Sequence, residues 1–204
     1  MLGEHGRGVA KAVLTPVAQV AKKLGLTPNM LTVGGTMVTV VAAFALIPTD
    51  HLGWAALALS IILAADSLDG TLARLTGKTS QFGAFLDSTL DRIADGAVFG
   101  SLTAWAALHL QGGAQVVGIF AGIAASVFAA TVPYARARAQ NIGVDAAKGI
   151  AERTDRLVIV GIGAILYAFT GHAWMVVAGL VIVALLSLIT VIQRILVTWT
   201  NANE

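Results

Sequence analysis

Residues 173–198 of this 204-residue chain read AWMVVAGLVIVALLSLITVIQRILVT, and Arg194 is the only charged side chain among them. A helix needs about 20 mostly apolar residues to cross a bilayer, because hydrocarbon cannot satisfy backbone polar groups. Comparable apolar stretches precede this one, separated by three short breaks and by two longer, charged ones at 75–82 and 140–154. The sequence predicts six spans, at 30–47, 52–74, 83–110, 114–139, 155–171 and 173–198. The expected fold class is an all-α integral membrane protein, with residues 1–204 forming one domain.

The composition supports a membrane protein and excludes several other classes. Hydrophobic residues make up 57% of the chain and charged residues 12%, whereas a soluble domain carries about 25% charged residues. The chain has no Cys, so disulfides, thiol nucleophiles and thiolate metal sites are excluded. A formal net charge of +2 is too small to indicate nucleic acid as a partner.

The positions of the 13 Lys and Arg residues predict the orientation of the spans. All of them fall on one side of the predicted bundle, and the positive-inside rule makes that side cytoplasmic. An even number of spans puts both termini on this side. Trp54, Trp105 and Trp174 fall near the opposite boundary, where an aromatic belt is expected. The predicted location is a cell membrane, with several crossings.

Residues 7–24 have the pattern of an amphipathic juxtamembrane helix. Val9, Val13, Val17, Val20 and Leu24 fall on one arc at about 100° per residue, with Lys and Arg residues facing away from it. Such a helix lies in the cytoplasmic interface rather than crossing the membrane.

Five Asp residues lie in or beside the second and third predicted spans, at positions 66, 69, 87, 91 and 95. A charge at the bilayer centre costs about 2.5–3.5 kcal/mol even on insertion scales, so these side chains must face a wet cavity and be neutralised. At 1.5 Å per residue, they converge just inside the cytoplasmic boundary on two antiparallel helices. Converging carboxylates without Cys or His ligands favour Mg²⁺ or Mn²⁺. Two such ions about 4 Å apart would clamp a transferring phosphoryl group.

The alternative is that these Asp residues form structural ion pairs with Arg74, Arg92 and other bases. It is as plausible as a metal-supporting role for Asp95, which lies one turn deeper than the others. Arg92 is expected to point about 100° away from Asp91 and to reach the membrane surface or a second subunit.

The spacing of these residues resembles the signature of the CDP-alcohol phosphatidyltransferases. All eight signature positions match, with intact spacing: Asp66, Asp69, Gly70, Ala73, Arg74, Gly83, Asp87 and Asp91. The family also has six helices and a juxtamembrane helix, and its members displace CMP from a CDP-linked donor with an alcohol. The resemblance implies that CDP-diacylglycerol is the donor here and that the active site is cytoplasmic.

The resemblance also implies roles for individual residues. Asp66, Asp69, Asp87 and Asp91 would hold two Mg²⁺ ions, with Mn²⁺ possible, and Asp91 would be the general base. The implied CDP-diacylglycerol contacts are Asn29, Met30, Leu31, Thr32, Gly70, Ala73, Arg74 and Ser80. Taken alone, Pro28-Asn29 is better explained as a helix start than as a nucleotide contact.

Two segments around the fourth turn of the chain, which is predicted to be cytoplasmic, resemble the phosphatidylinositol phosphate synthases of actinobacterial type. These segments are 134–139 and 151–156. In that group a basic pocket binds the phosphate of myo-inositol 3-phosphate, which implies Arg136, Arg153 and Arg194 here. Position 136 is commonly Lys in the group. The alternative is that these bases contact lipid headgroups under the positive-inside rule. We favour it for the other basic residues of this turn, which are Arg138, Lys148 and Arg156.

Three further alternatives remain open from the sequence. Glycerol 3-phosphate is a second candidate acceptor for the same reaction. A cation- or proton-coupled transporter would also use intramembrane carboxylates, although the Gly70, Ala73 and Gly83 spacing has no evident use there. The glycines at 96, 100, 118 and 122 permit close helix packing. They serve either a homodimer interface, as the family habit implies, or packing within one subunit.

Overall fold

The computed structural model describes residue 16 and residues 18–65, 70–73, 77, 79–147 and 149–202. Within these ranges it contains six long helices, labelled in chain order as α1 Pro28–Leu46, α2 Leu52–Ala65, α3 Gln81–His109, α4 Gly112–Asn141, α5 Arg153–Thr170 and α6 Trp174–Ala202. Residues 18–23 and 70–73 are also helical, and the described part of the chain has no strand. Of the predicted juxtamembrane helix, residues 7–15 and residue 17 lie outside the described residues.

The helix ends fall within a few residues of the predicted spans, because the breaks contain residues with left-handed backbone. Asp50, Gly112 and Gly171 have φ values of 63°, 59° and 69°, a conformation that Gly and Asp tolerate best. Asp50 and Gly112 lie in predicted breaks, and Gly171, the C-cap of α5, is the last residue of the fifth predicted span. The second span is the exception, since only 70–73 of its last nine positions, 66–74, are described.

Three helices, α1, α4 and α6, are long and apolar enough to cross a membrane by length and composition. In α2 the apolar stretch Leu52–Leu63 is shorter. Helix α5 carries its Asp and Arg side chains in its first turn, whereas those of α3 extend from Asp87 to Asp95, in the middle of the helix. Large apolar side chains face outwards, including Phe169 at 86% and Phe120 at 70% exposure. Exposed apolar surface of this kind marks contact with lipid or protein, so the chain is an all-helical, multi-pass membrane protein.

The chain divides into two compact units, which are described separately below. Unit 1 comprises Met1–Val41 and Ser60–Ala94, and unit 2 comprises Ala42–Leu59 and Asp95–Glu204. In unit 1 the buried side chains of Ala18, Ala21 and Leu72 form a small hydrophobic cluster, against which Leu26 and Leu31 pack. This cluster joins the helical stretch 18–23 to the segment 70–73 of the signature.

Close helix packing in unit 2 depends on glycine. A Cβ added to Gly118 would lie 2.9 Å from Ala106 Cβ, and one added to Gly122 would overlap Thr103. These two glycines therefore pack α4 against α3 within the chain. By contrast, Gly96 and Gly100 have nothing within 4 Å of an added Cβ.

Three side chains join three segments of unit 2 through one carboxylate. Asp50 accepts hydrogen bonds from Trp105 Nε1 at 2.7 Å and from Tyr167 Oη at 3.0 Å. The two rings meet edge to face, with centroids 5.1 Å apart. Trp105 is fully buried, whereas Trp54 is 67% and Trp174 55% exposed. The aromatic-belt prediction was therefore wrong for Trp105, because its indole N–H is used by Asp50.

Two glycines of α5 give a matched test of this packing. A Cβ on Gly163 would lie 2.7 Å from the backbone oxygen of Met175, which cannot rotate away, whereas Gly161 has open space around it. We expect Gly163→Ala to destabilise the protein by about 1–3 kcal/mol, the usual effect of overpacking. We expect Gly161→Ala to be neutral or stabilising, since Ala favours helix by about 0.5–1 kcal/mol. Thermal unfolding in detergent measures both, and equal melting temperatures would contradict the packing described here.

Candidate functional site

A cavity of about 210 Å³ lies in unit 1, beside the first turns of α1 and α3. Its lining residues are Pro28, Asn29, Thr32, Gly70, Ala73, Thr79, Ser80, Gly83, Ala84 and Asp87. Most of them were singled out from the sequence. Thr79 and Ala84 were missed, although each is adjacent to a predicted residue. The small side chains of Gly70, Ala73 and Gly83 leave room for a flat or bulky ligand.

The start of α1 explains why Asn29 and Thr32 line this cavity. Thr27 Oγ1 accepts a hydrogen bond from the N–H of Met30 at 3.3 Å, so Thr27 caps the helix and Pro28 takes its first position. The helix-start interpretation of Pro28-Asn29 is therefore correct, and the cavity lining is compatible with it. Met30 is 56% exposed, and Leu31 packs on the hydrophobic cluster of Leu72. Neither is among the lining residues.

Ser80 and Gly83 form the start of α3 in a similar way. The Ser80 hydroxyl accepts a hydrogen bond from the N–H of Gly83 at 3.0 Å, which is the geometry of an N-cap. A Cβ on Gly83 would lie 3.2 Å from this hydroxyl and 3.4 Å from Asn29 Oδ1. A side chain at 83 would therefore be tight against the Ser80 cap and in ordinary contact with Asn29.

Asp87 and Asp91 lie four residues apart on α3, so they share one helix face. Both are half-buried. A guanidinium nitrogen of Arg92 lies 3.5 Å from Asp91 Oδ2. The expectation that Arg92 points away from Asp91 was wrong, because the long Arg side chain bends back along the helix. Asp66, Asp69 and Arg74, the remaining charged residues of the signature, lie outside the described residues.

The predicted metal ligands can be tested only in part. Among the described residues, no group of three or more His, Cys, Asp or Glu side chains could hold a metal ion. The two described ligands are carboxylates, which hard divalent cations prefer, and Asp87 borders the cavity. Asp87 and Asp91 are therefore suitable ligands for Mg²⁺ or Mn²⁺. Asp66 and Asp69 would have to supply the remaining ligands of the metal site.

The second candidate site lies in unit 2, around a buried arginine of α6. Arg194 is 6% exposed. Its guanidinium donates hydrogen bonds to the carbonyl oxygens of Val132 and Ala147, and its Nε has no partner among the residues that the structure describes. Arg136 and Arg156 repel this guanidinium electrostatically, and Glu152 attracts it. Two of the three predicted phosphate-binding arginines, Arg136 and Arg194, thus lie in unit 2 within range of each other's electrostatic repulsion.

Arg153, the third arginine predicted to bind phosphate, donates a hydrogen bond to Asp95. Asp95 is 3% exposed. Oδ1 accepts a hydrogen bond from Arg153 Nε at 2.9 Å, and Oδ2 accepts one from Arg156 Nη2 at 3.3 Å. The ion-pair interpretation of Asp95 is therefore correct.

Arg156 is 2% exposed and also donates to the carbonyl oxygen of Ala151 at 3.3 Å. Its predicted contact with lipid headgroups was wrong. The three-residue spacing from Arg153 could have indicated this, since it puts both guanidinium groups on one helix face.

Local sequence explains where α5 begins. Glu152 is its N-cap, and the side chains of Glu152 and Asp155 each bond the other's backbone N–H in a capping box. The bond from Glu152 N to Asp155 Oδ2 measures 2.9 Å. Arg153 is therefore the first residue of the helix, at a fixed position relative to the capping turn.

The chain has close relatives among known proteins. It is 39% identical over 201 residues to the phosphatidylinositol phosphate synthase of Corynebacterium glutamicum, covering 96% of this chain and 88% of that protein. It is 41% identical over 182 residues to the protein of the same name from Mycolicibacterium smegmatis, covering 88% and 81%.

Solved structures of the Mycobacterium tuberculosis phosphatidylinositol phosphate synthase have the same fold. The complex with manganese and citrate matches with a TM-score of 0.88 at 35% identity, covering 94% of this chain and 92% of that one. The form with CDP-DAG bound also has a TM-score of 0.88, at 34% identity, with coverage of 95% and 98%.

A family model confirms the enzyme class that the signature implied, and the transporter hypothesis is therefore rejected. It is the model for CDP-alcohol phosphatidyltransferase, and it matches residues 25–199. The match includes all eight signature positions. The chain therefore belongs to the CDP-alcohol phosphatidyltransferase family.

Proposed function

We propose that this protein transfers the phosphatidyl group of CDP-diacylglycerol to myo-inositol 3-phosphate, giving phosphatidylinositol phosphate and CMP. The observation that carries the proposal is the cavity of unit 1, whose lining combines Gly70, Ala73, Gly83 and Asp87. These signature residues are small where a cytidine and its ribose need space, and acidic where a diphosphate needs a cation. The relatives named phosphatidylinositol phosphate synthase support the choice of acceptor.

Asn29, Thr32 and Ser80 are the polar side chains of this cavity that we assign to the cytidine nucleotide, and Arg74 joins them by resemblance. Met30 and Leu31 are not among the residues that line the cavity, so we assign them a structural role beside it. Leu31 packs on Leu72 and thereby fixes the segment 70–73. A guanidinium at 74 is suited to phosphate because it presents planar, paired donors.

The proposed cofactors are two Mg²⁺ ions, or Mn²⁺ as in the tuberculosis enzyme's complex. Asp66, Asp69, Asp87 and Asp91 are the proposed ligands. When bound, the ions would neutralise the diphosphate and the departing CMP.

The protein's own contribution to the chemistry centres on Asp91. The inositol hydroxyl attacks the phosphorus of the phosphatidyl group, the bond from that phosphorus to the CMP oxygen breaks, and CMP leaves. We propose that the Asp91 carboxylate accepts the proton that the hydroxyl loses. General base catalysis of this kind contributes about 10²–10⁴-fold to a rate.

The phosphate of the acceptor is assigned to Arg136, Arg153 and Arg194. The supporting observation is electrostatic. Arg194 is buried against carbonyl oxygens, and both Arg136 and Arg156 act on it against the single opposing charge of Glu152, so basic side chains outnumber acidic ones among these charges. A phosphate dianion would relieve that excess, and charge-assisted contacts to guanidinium groups are strong.

The proposed topology has six transmembrane helices, with both termini and the active site on the cytoplasmic side of a cell membrane. Helices α3 and α5 complete the set of spans despite their charges. The charges of α5 lie in its first turn, and Asp95, in the middle of α3, is neutralised by Arg153 and Arg156. The juxtamembrane helix, residues 7–24, would lie on the membrane surface. Its described part supports this, since Ala18 and Ala21 are buried while Val20 and Leu24 are 57% and 72% exposed. We treat both compact units as one domain, because the family model spans them.

We also propose that the protein is a homodimer that contacts its partner through α3. Gly96 and Gly100 leave an open, flat strip on this helix, and Ile93 beside it is 52% exposed. Small residues four apart allow two helices to approach closely in a membrane. Because the chain has no Cys, single cysteines at chosen positions would report both the orientation and this contact by labelling and cross-linking.

The acceptor is tested by CMP release from CDP-diacylglycerol in detergent, with Mg²⁺ present. We expect release with myo-inositol 3-phosphate, and little with free inositol or glycerol 3-phosphate, because only the first carries both the ring and the phosphate. Chelation with EDTA should abolish release, and added Mg²⁺ or Mn²⁺ should restore it. Incorporation of glycerol phosphate in the absence of inositol phosphate incorporation would show that the chain is a phosphatidylglycerol phosphate synthase instead.

For the base, we expect Asp91→Asn to lower turnover by at least about 10²-fold, because an amide cannot accept the proton. Binding of the cytidine nucleotide should stay within a few-fold, as measured by calorimetry. Asp145→Asn is the matched control, since this carboxylate bonds only to the nearby N–H of Ala147 in the described structure. Substantial activity in Asp91→Asn would remove Asp91 from this role.

For the acceptor pocket, we expect Arg153→Ala to raise the KM for inositol phosphate by about 10–100-fold, the effect of losing a charged hydrogen-bond donor. The KM for CDP-diacylglycerol should change little. Arg138→Ala removes an exposed guanidinium from the end of α4 and should leave both values near those of the wild type. Equal effects of Arg153→Ala on both substrates would contradict the assignment.

A further inference from the structure

Asp95 of α3 is neutralised by two arginines from another helix. Its two oxygens bind two different guanidinium groups of α5, at 2.9 Å and 3.3 Å. Side-chain exposure at this contact is 4% for Asp95, 19% for Arg153 and 2% for Arg156. The carboxylate and Arg156 are therefore fully enclosed, whereas Arg153 reaches the edge of the packed region.

The contact with Arg153 is made through Nε, which fixes the plane of the guanidinium. An Arg side chain without such a contact samples many rotamers, and ordering it on substrate binding costs about 0.5–1.5 kcal/mol. With Nε held by Asp95, the directions of the two terminal nitrogens are set in advance. A guanidinium fixed in this way would bind an anion at a lower cost in conformational entropy.

Arg156 connects Asp95 to the loop before α5. It donates to the carbonyl oxygen of Ala151, and the N–H of Ala151 donates in turn to Thr190 Oγ1 at 3.2 Å. Thr190 lies one turn before Arg194 on α6, and a Cβ on Gly149 would overlap its methyl group. One network therefore joins Asp95 on α3 to Arg153 on α5 and to the turn of α6 that precedes Arg194.

We propose that Asp95 is a positioning residue for the phosphorylated acceptor, acting through Arg153 and through the network that leads to Arg194. The inference rests on the proposed function, in which these two arginines bind the acceptor's phosphate. It assigns to Asp95 a role in the KM for that acceptor and none in binding the nucleotide donor. A merely structural ion pair would instead affect stability and leave the KM of both substrates unchanged.

The test is a double-substitution cycle in the full-length protein, measuring CMP release at varied acceptor concentration and saturating CDP-diacylglycerol. We expect Asp95→Asn to raise the acceptor KM by at least about tenfold, since it removes a charged hydrogen-bond partner of Arg153. Its KM for CDP-diacylglycerol should stay within about twofold of the wild-type value. In an Arg153→Ala background the same change should raise the acceptor KM clearly less than it does in the wild type, because the part of the effect that passes through Arg153 is already lost. Full additivity would overturn the proposal.

Asp50→Asn is the matched control, because it makes the same chemical change to another hydrogen-bonded carboxylate of unit 2. It weakens the contacts with Trp105 and Tyr167 and should lower the melting temperature without altering either KM. An increase in acceptor KM equal to that of Asp95→Asn would show that general loosening of the bundle explains both variants, and would overturn the proposal.

Asp95→Asn leaves Arg156 buried without a full countercharge and risks misfolding, so Asp95→Glu provides a second test. It keeps the charge but displaces the oxygens by one methylene, and we expect an acceptor KM a few-fold above wild type. An unchanged acceptor KM in Asp95→Glu would overturn the proposal.

These outcomes separate the two hypotheses. If the wild-type protein is active with inositol phosphate and the Asp95 variants have an unchanged acceptor KM, only the positioning role is rejected. Wild-type activity only with another phosphorylated alcohol rejects the proposed acceptor, and the same cycle with that alcohol then tests Asp95. Activity only with an unphosphorylated alcohol rejects both.

Discussion

An ionised side chain inside an apolar helical protein has to be compensated locally, because neither the packed interior nor hydrocarbon solvates charge. Unit 2 meets this requirement in two ways. Asp95 is balanced by two guanidinium groups. Arg194 donates instead to backbone carbonyl oxygens, which supply partial charge but no full countercharge. Positive charge is therefore in excess around Arg194, and the proposed binding of a phosphate follows from this excess more than from any single contact.

The signature residues of unit 1 have structural and binding roles at once. The Ser80 hydroxyl caps α3 and also lines the cavity, and Thr27 caps α1 one residue before Pro28. Each cap fixes the first turn of its helix, and those first turns carry Asn29 and Gly83. A ligand in this cavity would therefore meet polar groups whose positions are set by helix formation itself, which reduces the ordering that binding requires.

The sequence predicted the helices well because their limits are set locally. Breaks at Asp50, Gly112 and Gly171 require left-handed backbone, and this preference belongs to single residues. Pairing between distant side chains has no such local signal. Nothing in the periodicity indicated that Asp95 would meet residues 58 and 61 positions further along, or that Trp105 would be buried against Asp50. The carboxylates at 66 and 69 lie outside the described residues, so their part in the metal site remains a prediction.

The acidic residues of α3 show why residue type alone did not assign their roles. Asp87, Asp91 and Asp95 follow one another at four-residue intervals, so an isolated helix would present three equivalent carboxylates on one face. Their surroundings make them different. Asp87 borders the cavity of unit 1, Asp91 has the guanidinium of Arg92 at 3.5 Å, and Asp95 is enclosed with Arg153 and Arg156. A carboxylate that is already balanced by two arginines, one of them buried, is a poor ligand for a divalent ion. The metal-binding function that we propose therefore ends at Asp91, and the same chemical group one turn further on serves the arginines instead.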